Sequence, residues 1–402
     1  MRTSKEIRIA TALCVLAALV PTAASAAPGV SKRRIKIGVH TPMTGAAPLP
    51  QETAQRGAEI LWEWRQRQDK PINGRHVEVV LKNDNYNPSQ AVAVCKEMVE
   101  KDHVFMLSGL MNPEGKDQSH ACARYAASVG VPYVSLGQMK RSVKHLPNYF
   151  AFSMTWPAQA RLLARFFVDR MNASDRKNAI VWVDGPNYRD SHDAFETALT
   201  RRGAHLDHDR EVPVAAGQAE AQTVVEELKA REIDNVMVLV SPVWFLQLLQ
   251  AANNRDYHPT WTGVGITISS HDEVVRVGCG SGRSLAGAKF FSPVPAFVDR
   301  NDFDRTYSRA SRRIYEDQGD SISWLGWATS RALAKALAHA GRRLTRDRFI
   351  SRTERLGRLR TGIMPTLRFR PRDHFGGRAT HVLTAKCRDK RWHTTGTFKR
   401  DF

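Results

Sequence analysis

Pro88-Ser89-Gln90-Ala91-Val92-Ala93-Val94-Cys95-Lys96-Glu97-Met98-Val99 is followed by Val104-Phe105-Met106-Leu107-Ser108-Gly109, then by a helix-like stretch over 116–129 and by Val131-Pro132-Tyr133-Val134-Ser135. In the first piece Ala91, Val94, Met98 and Val99 fall at helical spacing, and Pro88 suits a first helical turn. The two short runs predict strands, the first of them apolar. Helix, strand, helix, strand at this pitch is the pattern of βαβ units, which demand a parallel sheet.

The same rhythm extends outward. Arg34-Ile35-Lys36-Ile37-Gly38-Val39 predicts a strand that turns at Thr41-Pro42. A helix over 54–66 with Ile60, Leu61 and Trp64 follows, then a strand over 76–81 after the turn Asn73-Gly74. A second series reads helix 156–170, strand 178–184, helices 188–202 and 220–231, strand 235–240, helix 243–253 and strand 260–265. Phe290-Phe291-Ser292-Pro293-Val294-Pro295 breaks the rhythm and reads as a linker. Helices over 303–318 and 321–340 follow, and the tail offers strands at 366–369, 381–385 and 392–398. The 402 residues suit two domains of roughly 150–200 each. The expected fold is therefore α/β, with two Rossmann-like lobes around parallel sheets. Such sheets bind ligands in the loops at the carboxyl ends of their strands, here 41–47, 109–115, 136–140, 185–190, 241–244 and 266–270.

Residues 1–26 form a separate object. Arg2, Lys5 and Arg8 precede an apolar run over 9–20 and the small-residue sequence Ala24-Ser25-Ala26. This predicts a signal peptide cleaved after Ala26 and a periplasmic protein. Cys14 follows Leu13, where a lipoprotein signal takes a small residue, so no lipid anchor is expected. Four further cysteines remain: Cys95, Cys122, Cys279 and Cys387. An oxidising compartment permits two disulfides among them, in any of three pairings. The formal net charge is +20, and residues 342–402 hold 18 Lys and Arg against 5 Asp and Glu. Nucleic acid is excluded as a partner by the compartment and by the lack of a recognisable binding motif. The charge reads as a solvated basic face, or as a surface for an acidic protein partner.

Catalytic signatures are missing. There is no HExxH, GxSxG or Walker A pattern, and Gly278-Cys279-Gly280-Ser281-Gly282 has Arg283 where a dinucleotide loop needs glycine. His103 and His120, or His205 and His208, lack metal-ligand spacing. The chain reads as a binding protein, not an enzyme, with no metal and no cofactor. Trp156, Tyr188 and Trp244 fall at or beside strand-to-helix loops, where aromatic rings can line a ligand pocket.

A series of fragments carries a resemblance over residues 34–398. They are Ile35 to Val39 with Pro42-Met43-Thr44-Gly45, Ile72-Asn73-Gly74-Arg75, Asp84 with Asn87 to Val92, Val131 to Ser135, Tyr188, and Pro213-Val214 with Gly217-Gln218. In this order they resemble the type I periplasmic binding proteins, specifically the branched-chain amino-acid (Leu/Ile/Val) receptor family of ABC importers. The resemblance implies three crossovers between lobes, near Ser153, Phe291 and Pro365. Lobe 1 is then 33–153 plus 291–364, and lobe 2 is 154–290 plus 365–402. That layout pairs Cys95 with Cys122 and Cys279 with Cys387. It also implies a receptor whose lobes close on a small molecule and deliver it to an ABC permease in the inner membrane.

Across the candidate loops and at the start of the helix over 156–170, the ligand-binding residues are Thr44, Leu110, Met111, Asn112, Gly137, Gln138, Met139, Trp156, Tyr188, Trp244 and Thr267. Tyr188 matches the family tyrosine that closes over the ligand. The family's hydroxyl for a ligand carboxylate has no counterpart in Gly109-Leu110-Met111-Asn112, and its acidic residue for the amine has none in Gly263-Val264-Gly265. An ammonium buried without a carboxylate is costly. The expected ligand is a neutral or anionic small molecule, aromatic or a short organic acid, rather than a standard α-amino acid. The competing expectation is a sensory or partner protein that keeps the fold and presents its basic surface.

Overall fold

A computed structural model describes residues 27–399 apart from 46–47, 113–115, 138–142, 184–185, 214, 266–267, 270 and 281. The signal-peptide expectation for residues 1–26 lies outside the described residues. Two sheets organise the chain. The first is wholly parallel, in the order His76–Asn83, Arg34–Thr41, Met106–Gly109, Tyr133–Ser135, Tyr149–Ala151. Its strands Met106–Gly109, Tyr133–Ser135 and Tyr149–Ala151 are buried throughout, whereas the edge strand His76–Asn83 is mostly half-buried. Gln51–Arg67 and Ser321–Ala340 pack on one face with Trp62, Trp64, Trp324 and Trp327 in the core. Pro88–Glu100 and Lys116–Ser128 cover the other, with Met98, Val104, Leu107 and Tyr133 between helices and sheet.

The second sheet has seven strands in the order Arg391–Lys399, Ala379–Lys386, Lys289–Ser292, Thr260–Gly263, Asn235–Leu239, Asn178–Val183, His208–Val212. Five of these run parallel, and the last two strands of the chain add antiparallel at one edge. Trp156–Met171 and Pro186–Thr200 pack on one face. Gln218–Ala230, Pro242–Asn254 and Asp272–Gly278 pack on the other. The molecule is thus an α/β protein of two lobes with parallel-dominated central sheets.

Three expectations need correction. Phe290, Phe291 and Ser292 are not linker: they form a strand bonded on both sides, and Pro293 and Pro295 mark its end. The helix expected over 303–318 is broken at Asp304. That residue is extended; its carboxylate caps Thr306 N at 2.9 Å and accepts from Trp327 Nε1 at 2.8 Å. The third change of lobe falls after Phe375 rather than near Pro365. Leu367 and Phe369 pack in the tryptophan-rich core of the first lobe, and Phe375 packs behind its sheet.

The passages between lobes run side by side. Ala151 N donates to His374 O at 2.9 Å, and Gly376 N donates to Ala151 O at 3.0 Å. Thr380 Oγ1 donates to Ser292 O at 2.9 Å. Gly377 is required there, because a Cβ on it would stand 2.0 Å from Met154 N. Both disulfides pair as the resemblance implied, with Cα–Cα distances of 6.0 Å for Cys95–Cys122 and 5.0 Å for Cys279–Cys387. Among the described residues no helix is long and apolar enough to cross a membrane.

Candidate ligand-binding site

Parallel strands deliver all their carboxyl ends to one edge of a sheet, so each lobe presents one edge of loops. On the first lobe this edge is built on a buried polar network. Asp84, fully buried, accepts from His40 Nδ1 at 2.8 Å, from Asn112 Nδ2 at 2.7 Å and from Tyr86 N at 3.0 Å. His40 Nε2 lies 2.7 Å from the phenol oxygen of Tyr133, whose proton is held far above its ordinary range by burial. Thr41 Oγ1 donates to Met111 O at 2.5 Å. This network joins the strand ends at His40, Asp84 and Asn112, and so ties three loops to one buried carboxylate.

The expected first-lobe residues take up this framework. Thr44 is exposed, with its hydroxyl 2.7 Å from both Asn83 Nδ2 and Asn85 Oδ1, so it braces its own loop. Leu110 and Met111 are buried in the core, and Asn112 is bound to Asp84. Gly137 is buried with φ +72° and donates its N–H to Ser135 Oγ at 2.8 Å. Gln138, Met139 and Thr267 lie outside the described residues.

The second lobe brings two aromatic rings together at its loop edge, Trp156 buried and Tyr188 half-buried. Trp156 opens the helix Trp156–Met171, where Thr155 caps Ala158 N. Its ring stands 6.1 Å from that of Tyr188, tilted by 45°. Gly265 lies under the indole with φ +82°, and a Cβ there would stand 2.6 Å from the ring. Gln159, one turn into the helix, accepts from Gly265 N at 3.0 Å and donates to Met154 O at 2.9 Å. A single buried amide therefore ties the loop after Thr260–Gly263 and the first passage between lobes to the helix that carries Trp156.

Trp244 does not join this pair. It packs on the opposite face of the second sheet and donates Nε1 to Gly217 O at 3.3 Å. Val264, the position without an acid, is buried in the core behind Trp156. Tyr188 is held by its helix's attachment to the sheet edge. His192 Nε2 sits 2.7 Å from Asp209, which also accepts from Trp182 Nε1 at 2.9 Å. Burial opposes charge on His192, but Asp209 and Asp193 outweigh it and raise its pKa.

Sequence reasoning missed His40 and Gln159. The signal for Gln159 was a polar residue on the apolar face of a helix; for His40 there was none, since its partners lie 44 and 93 residues away. Among the described residues His40, Cys95 and Cys122 bring potential metal-ligand atoms within 4.8 Å of one another. The two sulfurs are joined in a disulfide and are not thiolate ligands.

Comparison with known proteins agrees with this geometry. The family model described as "Periplasmic binding protein" matches residues 34–391. No curated protein matches the chain. Among solved structures, the branched-chain amino acid transporter substrate binding protein LivJ from Streptococcus pneumoniae, in complex with isoleucine, is 15% identical, covers 92% of this chain and 100% of its own, and superposes with a TM-score of 0.74. A solute binding protein of an ABC transporter from Rhodopseudomonas palustris, in complex with 3,4-dihydroxy benzoic acid, is 16% identical over 91% of this chain and 97% of its own, at 0.72. An ABC transporter substrate binding protein from Aeropyrum pernix is 17% identical over 92% and 96%, at 0.77. At these identities the likeness is one of fold; joined to the family match across nearly the whole described chain, it establishes that this chain belongs to the periplasmic binding protein family.

Proposed function

We propose that the chain is an exported receptor that closes its two lobes on a small aromatic or short organic acid and presents it to an ABC permease in the inner membrane. The observation that carries this is the Trp156–Tyr188 pair at the loop edge of the second lobe, standing over Gly265, with Val264 rather than an acid at the preceding position. Two rings in this relation offer an apolar wall to a flat ligand. Asp84, just after the first-lobe strand His76–Asn83, is fully buried and already accepts three hydrogen bonds, so it is spent on structure rather than on an ammonium. Binding of dihydroxybenzoate and of benzoate by two structural neighbours from Rhodopseudomonas palustris fits the same reading.

Closure would come from the three adjacent passages, with differential affinity for the closed form as its driving force. Calorimetry with benzoate, 3,4-dihydroxybenzoate, leucine and isoleucine tests the ligand class. An aromatic acid should bind at micromolar strength and lose about 3–10-fold in the Tyr188→Ala variant. Micromolar binding of leucine together with no binding of either benzoate would overturn the proposal. Scattering with the bound acid should show a smaller radius of gyration, and an unchanged radius at saturation argues against closure.

A further inference from the structure

Beside the passages between lobes lies a cavity of about 580 Å³ that shares no residue with the Trp156–Tyr188 edge. One wall comes from residues 358–368 of the first lobe, and the other from residues 378–399 at the second-lobe sheet edge. Five cationic side chains line it: Arg358, Arg360, Arg368, Arg378 and Lys399. The lining holds no aspartate or glutamate among the described residues. Arg378 is engaged by Asp373 at 2.5 Å. The other four make no ion pair among the described residues.

The floor is neutral. His381, almost fully buried, donates Nε2–H to Ile363 O at 2.9 Å across the lobe boundary and stacks edge-on against Phe303. Like charges gathered around a concave, partly apolar wall focus the field within it, and guanidinium groups favour oxyanions held by two parallel hydrogen bonds. The size is that of a small-molecule site.

We infer that this cavity is a second binding site, for a small polyanion carrying at least two phosphate or carboxylate groups, whose occupant bridges the two lobes. The inference is independent of the ligand held by Trp156 and Tyr188. Calorimetry on the full chain at low ionic strength, with inorganic pyrophosphate in one arm and citrate in the other, tests it. The expected result is saturable one-to-one binding in at least one arm, and the arm that binds names the oxyanion.

Arg358→Gln combined with Arg368→Gln should weaken that binding at least tenfold. The pair Arg312→Gln and Arg313→Gln, exposed on the helix Arg305–Tyr315, removes the same charge and should change it less than twofold. Three results would overturn the inference: no saturable binding in either arm, equal loss in both double variants, or loss of polyanion binding in Tyr188→Ala. The second would mean a diffuse field and the third an anion seated in the other cleft.

Discussion

His381 makes the stability of this protein depend on acid in a calculable way. Its ring is buried where the second-lobe edge meets Ile363, and burial lowers its pKa from 6.5 to about 4 despite the bond to that carbonyl. At pH 7 the ring is neutral in both folded and unfolded chains, and the stability it contributes is complete. As pH falls below 6.5 the unfolded chain takes up a proton that the folded chain refuses, so stability is lost until pH reaches about 4. Each unit is worth about 1.4 kcal/mol, giving roughly 2 kcal/mol lost by pH 5 and about 3 kcal/mol in all. His381→Gln keeps a donor for Ile363 O and removes the titration. Urea unfolding of both proteins at pH 7 and pH 5 should show the variant losing about 2 kcal/mol less over that interval. Parallel losses in the two proteins would refute the assignment of the acid sensitivity to this ring.

Gly265→Ala forces a left-handed backbone and drives a methyl into the Trp156 ring; it should cost about 1–3 kcal/mol in thermal unfolding and weaken the aromatic acid at least tenfold by calorimetry. Unchanged affinity would take Trp156 out of the pocket. Removing a disulfide releases loop entropy in proportion to the logarithm of loop length. Cys95→Ala with Cys122→Ala, across a separation of 27, should cost about 3.5 kcal/mol, and Cys279→Ala with Cys387→Ala, across 108, about 5 kcal/mol, in denaturant titrations. Asp84→Ala strands two buried donors and a half-buried one and should destabilise by about 3–5 kcal/mol; a cost below 1 kcal/mol would show that the His40 network is not rigid.

The parallel sheets were legible because strands covered on both faces read as short apolar runs between helical stripes. His208–Val212 escaped that reading for the opposite reason: it is an edge strand, written His-Asp-Arg-Glu-Val, with its first four residues outside the core. The prolines after Ser292 obscured the strand Lys289–Ser292, since they mark where it stops and say nothing of what precedes them. The site was readable only in part. Trp156 and Trp244 carry the same local signature, an aromatic opening a helix after a strand, yet their helices lie on opposite faces of one sheet. Only the three-dimensional winding tells them apart. The disulfides came out because the family layout fixed which cysteines share a lobe, which no local spacing encodes.

The order of strands in the second sheet also sets a timetable for biogenesis. Lys289–Ser292 has its outer neighbour only in Ala379–Lys386, close to the end of the chain. A polypeptide emerging N-terminus first, from a ribosome or a translocation pore, can assemble the five parallel strands and still carry an open, phenylalanine-bearing edge. That edge waits for almost every remaining residue, including the whole return through the first lobe, before it is capped and Cys387 can reach Cys279. The last two dozen residues are therefore the closing stitch. A nascent chain truncated just before them should be the form that chaperones hold and that aggregates when they do not.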